Sequence, residues 1–301
     1  MMERMVVPLD GSMTAEAILP HLRRILYRKD AEVILVRAVV PPPMENSSEF
    51  LEAGRAAARE YLLGKQDALE EAGVRVKSVV RIGSPVGVIL DVVDEEKATL
   101  IAMATHGATG LSRLLMGSVT EGLLRKTPVP VLVVRPFWSY ELLAVGGTDR
   151  KPLRTLLFPV DGSERSTESL PSVVQLSELF ESRVVLLRVL EPKKQQPPAE
   201  AERAEAQAQL HRLAGLLGKK GIEAAGVVRE GEPTEEILKA AEDEGADLIA
   251  MTTHGRGGLT RALTGSVTES ILRKAKIPLL VTRNAAAPAK SLRPGAAKVG
   301  R

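Results

Sequence analysis

The sequence predicts a parallel α/β fold built twice in one chain, and three observations carry that prediction. Short apolar, β-branched runs alternate with helix-forming stretches along almost the whole length, the pattern of strands joined by crossover helices. Residues 104–136 return as residues 252–284, with 19 of 33 aligned positions identical at a constant offset of 148 (254 − 106). Upstream, Val7-Pro8-Leu9-Asp10-Gly11-Ser12 is echoed by Phe158-Pro159-Val160-Asp161-Gly162-Ser163 at an offset of 151. At 301 residues the prior is about two domains, and the repeat makes that prior specific.

Residues 5–9 (MVVPL) form a first strand, and Asp10-Gly11-Ser12 turns it into a helix with Ser12 as the natural N-cap. Pro20 lies inside that helix, with Pro171 at the matching place in the second half, and the continuing apolar pattern predicts a bend rather than a break. Glu32–Val40 is a second strand, apolar almost throughout as a strand covered on both faces should be, and Pro41–Pro43 ends it. A helix from about Glu49 to Glu71 is closed by Gly73, and Val74–Ile82 is a third strand. Gly83-Ser84-Pro85 opens a helix with proline in its first turn. Thr99–Met103 is a fourth strand, Gly117-Ser118 starts another helix, and Val129–Val134 is a fifth strand.

The second half repeats this order from Leu156 to Thr282. The predicted domains are therefore 1–136 and 153–284. Residues 137–152 hold three of the eight aromatics and read as a docked connector, whereas 285–301, rich in Ala, Pro and Gly with basic residues and no acid, read as a disordered tail.

Bulk properties narrow the function. A net charge of +3 argues against a nucleic-acid-binding face despite the pI of 9.1. The absence of cysteine excludes disulfides, thiolate catalysis and cysteine-ligated zinc, and fits a reducing cytoplasm. No apolar run approaches a signal peptide or a membrane span, so a soluble cytoplasmic protein is the expectation.

The chemistry concentrates on one sheet edge. Ligands of open parallel sheets bind beyond the carboxyl ends of the strands, where strand order reverses. Asp10 follows the first strand and His106-Gly107 the fourth. Gly117-Ser118-Val119 offers amides at a helix start, which carries roughly half a positive charge and suits phosphate. An acid on the neighbouring strand end can take a ribose hydroxyl, and together these describe a mononucleotide site.

The same letters have structural readings. Ser118-Val-Thr-Glu121 and Ser266-Val-Thr-Glu269 also spell capping boxes, and Asp10 is a favoured turn residue. His106 and His254 have no partner in sequence to complete a catalytic triad, so they read as loop-orienting. Asp94-Glu95-Glu96 and Glu242-Asp243-Glu244 read as solvated helix faces, and His21 and His211 carry no signal.

Strand–PxDGS–helix at the start of each repeat, and THGxxGLxRxLxGSVxExxLRKxxxPxLVxR at its end, resemble the universal stress protein (UspA-type) family over nearly the whole chain, as a tandem member. The resemblance implies two Rossmann-like (adenine nucleotide alpha hydrolase-like) domains, each a five-stranded parallel sheet of order 3-2-1-4-5 with helices on both faces. It also implies pairing through the fifth strands, Val131–Val134 and Leu279–Thr282, as an intrachain pseudo-dimer that can dimerise again.

For the nucleotide-binding branch it implies ATP, with or without magnesium, held by a pattern G-x2-G-x9-G-[S/T]. Here the pattern's first glycine is Ala104 or Thr252; threonine is the larger departure. By position, Asp10 and Asp161, following Pro8 and Pro159, would meet ribose or adenine. Ala38 and Val189 would line adenine through their backbones. Gly107, Gly117, Ser118 and Val119, with Gly255, Gly265, Ser266 and Val267, would hold the phosphates.

An ATP-binding, nucleotide-responsive stress factor follows from the resemblance; an interaction module with vestigial sites is the alternative that Ala104 and Thr252 support. An ATP pyrophosphatase is disfavoured because the first loop lacks a serine-glycine-rich SGGxDS sequence, and no general base stands out, so at most slow hydrolysis is expected.

Overall fold

The computed structural model describes residues 4–25, 31–41, 48–105, 117–135, 153–163, 170–192, 198–253 and 266–283. In the first half β1 (Arg4–Pro8) leads to α1 (Met13–Glu16), α2 (Leu19–Ile25), β2 (Glu32–Val39) and α3 (Ser48–Glu71). β3 (Arg75–Ile82), α4 (Pro85–Glu95), β4 (Leu100–Ala104), α5 (Ser118–Lys126) and β5 (Val131–Val134) complete it. The second half runs β6 (Thr155–Val160), α6 (Leu170–Phe180), β7 (Arg183–Leu190), α7 (Glu200–Gly218) and β8 (Ala224–Glu230). It ends with α8 (Pro233–Asp243), β9 (Leu248–Thr253), α9 (Ser266–Lys274) and β10 (Leu279–Arg283).

The ten strands form one sheet of order β3-β2-β1-β4-β5-β10-β9-β6-β7-β8. Each half is a parallel 3-2-1-4-5 sheet, and the fifth strands join the halves through an antiparallel pair. The register of that pair matters. Leu280 lies opposite Leu132, and both face one core; Leu279 and Val281 lie opposite Val133 and Val131, and all four face the other. Strand side chains alternate between faces, so a slip of one residue would mismatch every apolar contact across the join.

Two apolar layers result. One holds Val33, Leu35 and Leu132 of the sheet against Leu22 of α2, Leu62 and Leu69 of α3, Val173 of α6 and Leu210 of α7. The other holds Ile34, Val36 and Val131 against Val88 and Val92 of α4, Leu123 of α5, Ile237 of α8 and Ile271 of α9. Strands buried on both faces explain their unbroken Val/Ile/Leu composition.

Two local expectations are corrected. Around Pro20 the helix breaks rather than bends. Ala17 N and Ile18 N donate to the carbonyls of Thr14 (3.3 Å) and Ala15 (3.5 Å), which closes α1 with tight i→i−3 turns. A new helix then starts at Leu19, with Pro20 in its first turn, where the missing N–H leaves no bond unmade. Pro171 occupies the same second position of α6.

The fifth strand starts at Val131 rather than Val129, because Val129 N is drawn into a turn by the Thr127 hydroxyl at 3.2 Å. The acidic helix ends are mostly exposed, as solvated faces should be, and carry surface ion pairs. Lys77 Nζ lies 2.5 Å from Glu96, Arg81 pairs with Glu95, Arg229 with Asp243 at 2.8 Å, and Lys276 with Glu242 at 3.1 Å. The Arg81 guanidinium holds the Glu95 carboxyl below the usual carboxylate range. Among the described residues, no helix is long and apolar enough to cross a membrane. The connector and the tail lie outside the described residues.

Candidate functional site

The strand order reverses between β1 and β4, which are neighbours in the sheet although two strands and four helices separate them in sequence. The chain leaving β1 enters α1 and α2, and Ile18 and Leu22 bury on the first apolar layer. The chain leaving β4 reaches α5, whose Leu123 and Leu124 bury on the opposite layer. Connections departing to opposite faces from adjacent strands leave a crevice at the carboxyl edge. β6 and β9 repeat the arrangement, with α6 on one layer and α9 on the other.

One wall of the first crevice is the Asp10-Gly11-Ser12 turn. Asp10 Oδ1 accepts from Ser12 N at 2.9 Å and from Ser12 Oγ at 2.6 Å, while Ser12 Oγ itself accepts from Ala15 N at 3.1 Å and caps α1. Gly11 has φ +86°, a left-handed conformation open to glycine at little cost. The second half builds the same turn: Asp161 Oδ1 accepts from Ser163 N at 3.0 Å and Ser163 Oγ at 2.6 Å, and Gly162 has φ +81°. Both aspartates are exposed at the sheet edge. The turn reading of Asp10 is thus realised through one carboxylate oxygen, and the residue still stands at the crevice.

The other wall is the start of α5. Its N-cap is Gly117 (φ −58°, ψ 141°), and no side chain caps the helix. Ser118 is the first helical residue, so the expected Ser118–Glu121 capping box does not form there. Glu121 N instead donates to Gly117 O at 3.0 Å, and the Glu121 carboxylate faces Arg125 at 3.7 Å. In α9, Glu269 pairs with Arg273 in the same way. Amides at an uncapped helix start are donors suited to an anion.

The other candidate positions that the structure describes lie on strands or on the helices α5 and α9. Pro8 and Pro159 lie within β1 and β6, just before the turns. Ala38 lies on β2 and Val189 on β7, on the same layer as α5 and α9 respectively. Ala104 ends β4 and is buried, whereas Thr252, at the matching place on β9, is half-buried. Val119 and Val267 pack partly on the second layer rather than facing away from it. Gly107, Gly255 and Gly265, with His106 and His254, lie outside the described residues. Among the described residues, no group of three or more His, Asp and Glu side chains is arranged to hold a metal ion.

Sequence reasoning missed the residues beneath the turn. Arg37 of β2 reaches the backbone of Gly11, and its guanidinium carbon lies 4.7 Å from the centre of the Tyr61 ring. Tyr61 Oη donates to Glu16 at 2.8 Å, and Lys65 Nζ to the other Glu16 oxygen at 2.7 Å. Burial first, then the bond to Glu16, pushes the Tyr61 phenol well above its ordinary pKa. The one signal available in sequence was an arginine at the same repeat position, Arg188, interrupting each apolar strand.

Comparison with known proteins agrees with this architecture. The family model described as "Universal stress protein family" matches residues 1–135 and 152–283. A universal stress protein of Methanocaldococcus jannaschii is 35% identical over 139 residues, 44% of this chain and 82% of that protein. A universal stress protein of Mycobacterium tuberculosis is 27% identical over 241 residues, 77% of either chain. Among solved structures, a universal stress protein from Archaeoglobus fulgidus superposes with a TM-score of 0.71 at 22% identity, over 93% of this chain and 98% of that one.

Proposed function

We propose that this chain, which belongs to the universal stress protein family, binds adenine nucleotide, ATP in particular, in the crevices beside β1 and β6, and acts as a nucleotide-responsive stress factor in the cytoplasm. The observation that carries the reading is the switch-point crevice between β1 and β4, with the Asp10 turn on one wall and the uncapped start of α5 on the other. The donor set fits the ligand: backbone amides at Gly117, Ser118 and Val119 for phosphate, and a carboxylate at Asp10 for ribose hydroxyls. Ala38 lines the adenine side. Asp161, Ser266, Val267 and Val189 take the same parts in the second half, with Pro8, Pro159, Ala104 and Thr252 framing the two crevices.

Magnesium would arrive on the phosphates rather than in a protein cage, since it keeps much of its water and binds through few carboxylates. The glycines and histidines of the 106–116 and 254–265 segments are proposed to complete the phosphate loops. Binding without a designated base implies a sensor or carrier of nucleotide rather than a fast hydrolase.

The test is mass spectrometry of gently purified protein for bound nucleotide, followed by calorimetry with ATP and magnesium on dialysed protein. One or two equivalents bound, abolished at the first site by Gly117→Asp, is the expected outcome. No binding by dialysed protein would leave the interaction-module alternative, which the half-buried Thr252 favours for the second half.

A further inference from the structure

We infer that Arg37 and Arg188 are positioning residues, each holding its turn so that Asp10 or Asp161 presents a carboxylate to the sugar of the bound nucleotide; this rests on the nucleotide reading above. On β2, Val33 and Leu35 face the layer of α3, while Ile34, Val36 and Ala38 face the other. Alternation puts Arg37 on the α3 side, at the point where the apolar face meets the sheet edge. Arg188 has the same place on β7, after Val184 and Leu186. A half-buried arginine where a core residue would otherwise sit, at matching positions of both halves, calls for a physical reason.

The contact is with the turn itself. A Cβ built on Gly11 would lie 3.1 Å from both terminal nitrogens of Arg37, and one built on Gly162 would lie 2.6 Å from Cζ and Nη2 of Arg188. Each guanidinium therefore packs against the glycine between the aspartate and the serine of its turn. In the second half Arg188 Nη1 also donates to the carbonyl of Val160, the residue before Asp161, at 3.4 Å. In the first half the Tyr61 ring backs Arg37 from behind at 4.7 Å, and Glu16 and Lys65 fix that ring.

A planar, rigid cation is suited to this task. It fills the space that a left-handed glycine leaves open, directly beside the residue that carries the carboxylate. The turn then has one conformation, in which Oδ1 is committed to Ser12 or Ser163. The carboxylate meets the sugar already oriented, so less ordering remains to be done on binding.

The test uses the full chain with both arginines replaced (R37M and R188M together), which keeps much of each stem. Calorimetry compares ATP with 2′,3′-dideoxy-ATP, which lacks the hydroxyls. ATP should bind about tenfold more weakly, the equivalent of one hydrogen bond to a charged group, while the affinity for the dideoxy nucleotide is unchanged. In a D10A, D161A background the arginine changes should have no further effect on ATP. Equal losses for both nucleotides, or losses that add to those of the aspartate changes, overturn the inference alone. Failure of the unaltered protein to bind either nucleotide overturns the nucleotide reading and this inference with it. Should the methionine variants not fold, R37K and R188K are put through the same contrast, with the same two outcomes deciding.

Discussion

The two halves of the chain are the same fold carrying different supports, and the differences collect around the crevices. The cores share their main anchors: Leu62 and Leu69 of α3 correspond to Leu210 and Leu217 of α7 at the offset of 148 (210 − 62; 217 − 69), and all four are buried. Next to them, Lys65, which binds Glu16, corresponds to Leu213 (213 − 65 = 148), which is 3% exposed and packed in the core. The first half backs its arginine with a Tyr61–Glu16–Lys65 network, whereas in the second Arg188 donates directly to a turn carbonyl. Ser84 caps α4, and Glu232 caps α8. Ala104 ends β4 where Thr252 stands on β9. Packing positions tolerate little change because a buried gap or charge costs several kcal/mol. The supports behind the crevices have changed, at Lys65/Leu213, Ser84/Glu232 and Ala104/Thr252, while the Asp-Gly-Ser turns, the arginines and the Gly-Ser-Val helix starts are the same in both halves.

The largest effect should come from breaking what joins the halves. Leu280→Asp puts a charge opposite Leu132, where both side chains are 0% exposed. A loss of about 4 kcal/mol or more is expected, read as a lower urea midpoint or loss of the folded state. A change below 1 kcal/mol would mean the join contributes little. Next in size are the turns. Gly11→Ala and Gly162→Ala force alanine into φ +86° and +81° at about 1–2 kcal/mol each. Gly162→Ala should be the worse, because its methyl meets Arg188 at 2.6 Å against 3.1 Å for Arg37. Equal urea midpoints for the two would remove the arginine contact as a distinction between halves.

The crevices themselves differ by a side chain. Thr252→Gly should raise second-half nucleotide affinity about tenfold, the scale of one relieved contact, and leave the first half unchanged. Calorimetric titration resolving two sites checks this, and an unaltered second site would exonerate Thr252.

The smallest effect concerns the caps. Glu232 Oε2 accepts from Glu235 N at 2.8 Å. Burial opposes ionisation of this carboxyl, but the bonds from the Glu235 and Thr234 backbones and the Thr234 hydroxyl, with the Lys274 charge, hold it below the usual carboxylate range. A carboxyl whose pKa is depressed by folding stabilises the fold above its unfolded pKa, and that contribution is lost as pH falls through the folded value. Glu232→Ala and Ser84→Ala should each cost about 1 kcal/mol near neutrality. Only the Glu232→Ala loss should shrink in acid, and unfolding series at pH 7 and pH 3 separate the two.

The α/β class, the duplication and the position of nearly every strand are legible in the residues, because buried strands need unbroken β-branched runs and helices need periodic ones. So is the turn, since Asp-Gly-Ser after an apolar run leaves few other conformations. The break at Pro20 was less legible: the apolar pattern passes through it, and only the choice between a lost ladder bond and a fresh first turn decides. Which element caps α5 could not be read either, because Ser118-Val-Thr-Glu121 satisfies the capping-box spacing whether Gly117 or Ser118 is the cap. Tertiary structure alone aligned Leu280 with Leu132 and brought Arg37 and Arg188 beneath Gly11 and Gly162. Those contacts join residues far apart in the chain, and periodicity, which senses only neighbours three or four residues away, carries no information about them.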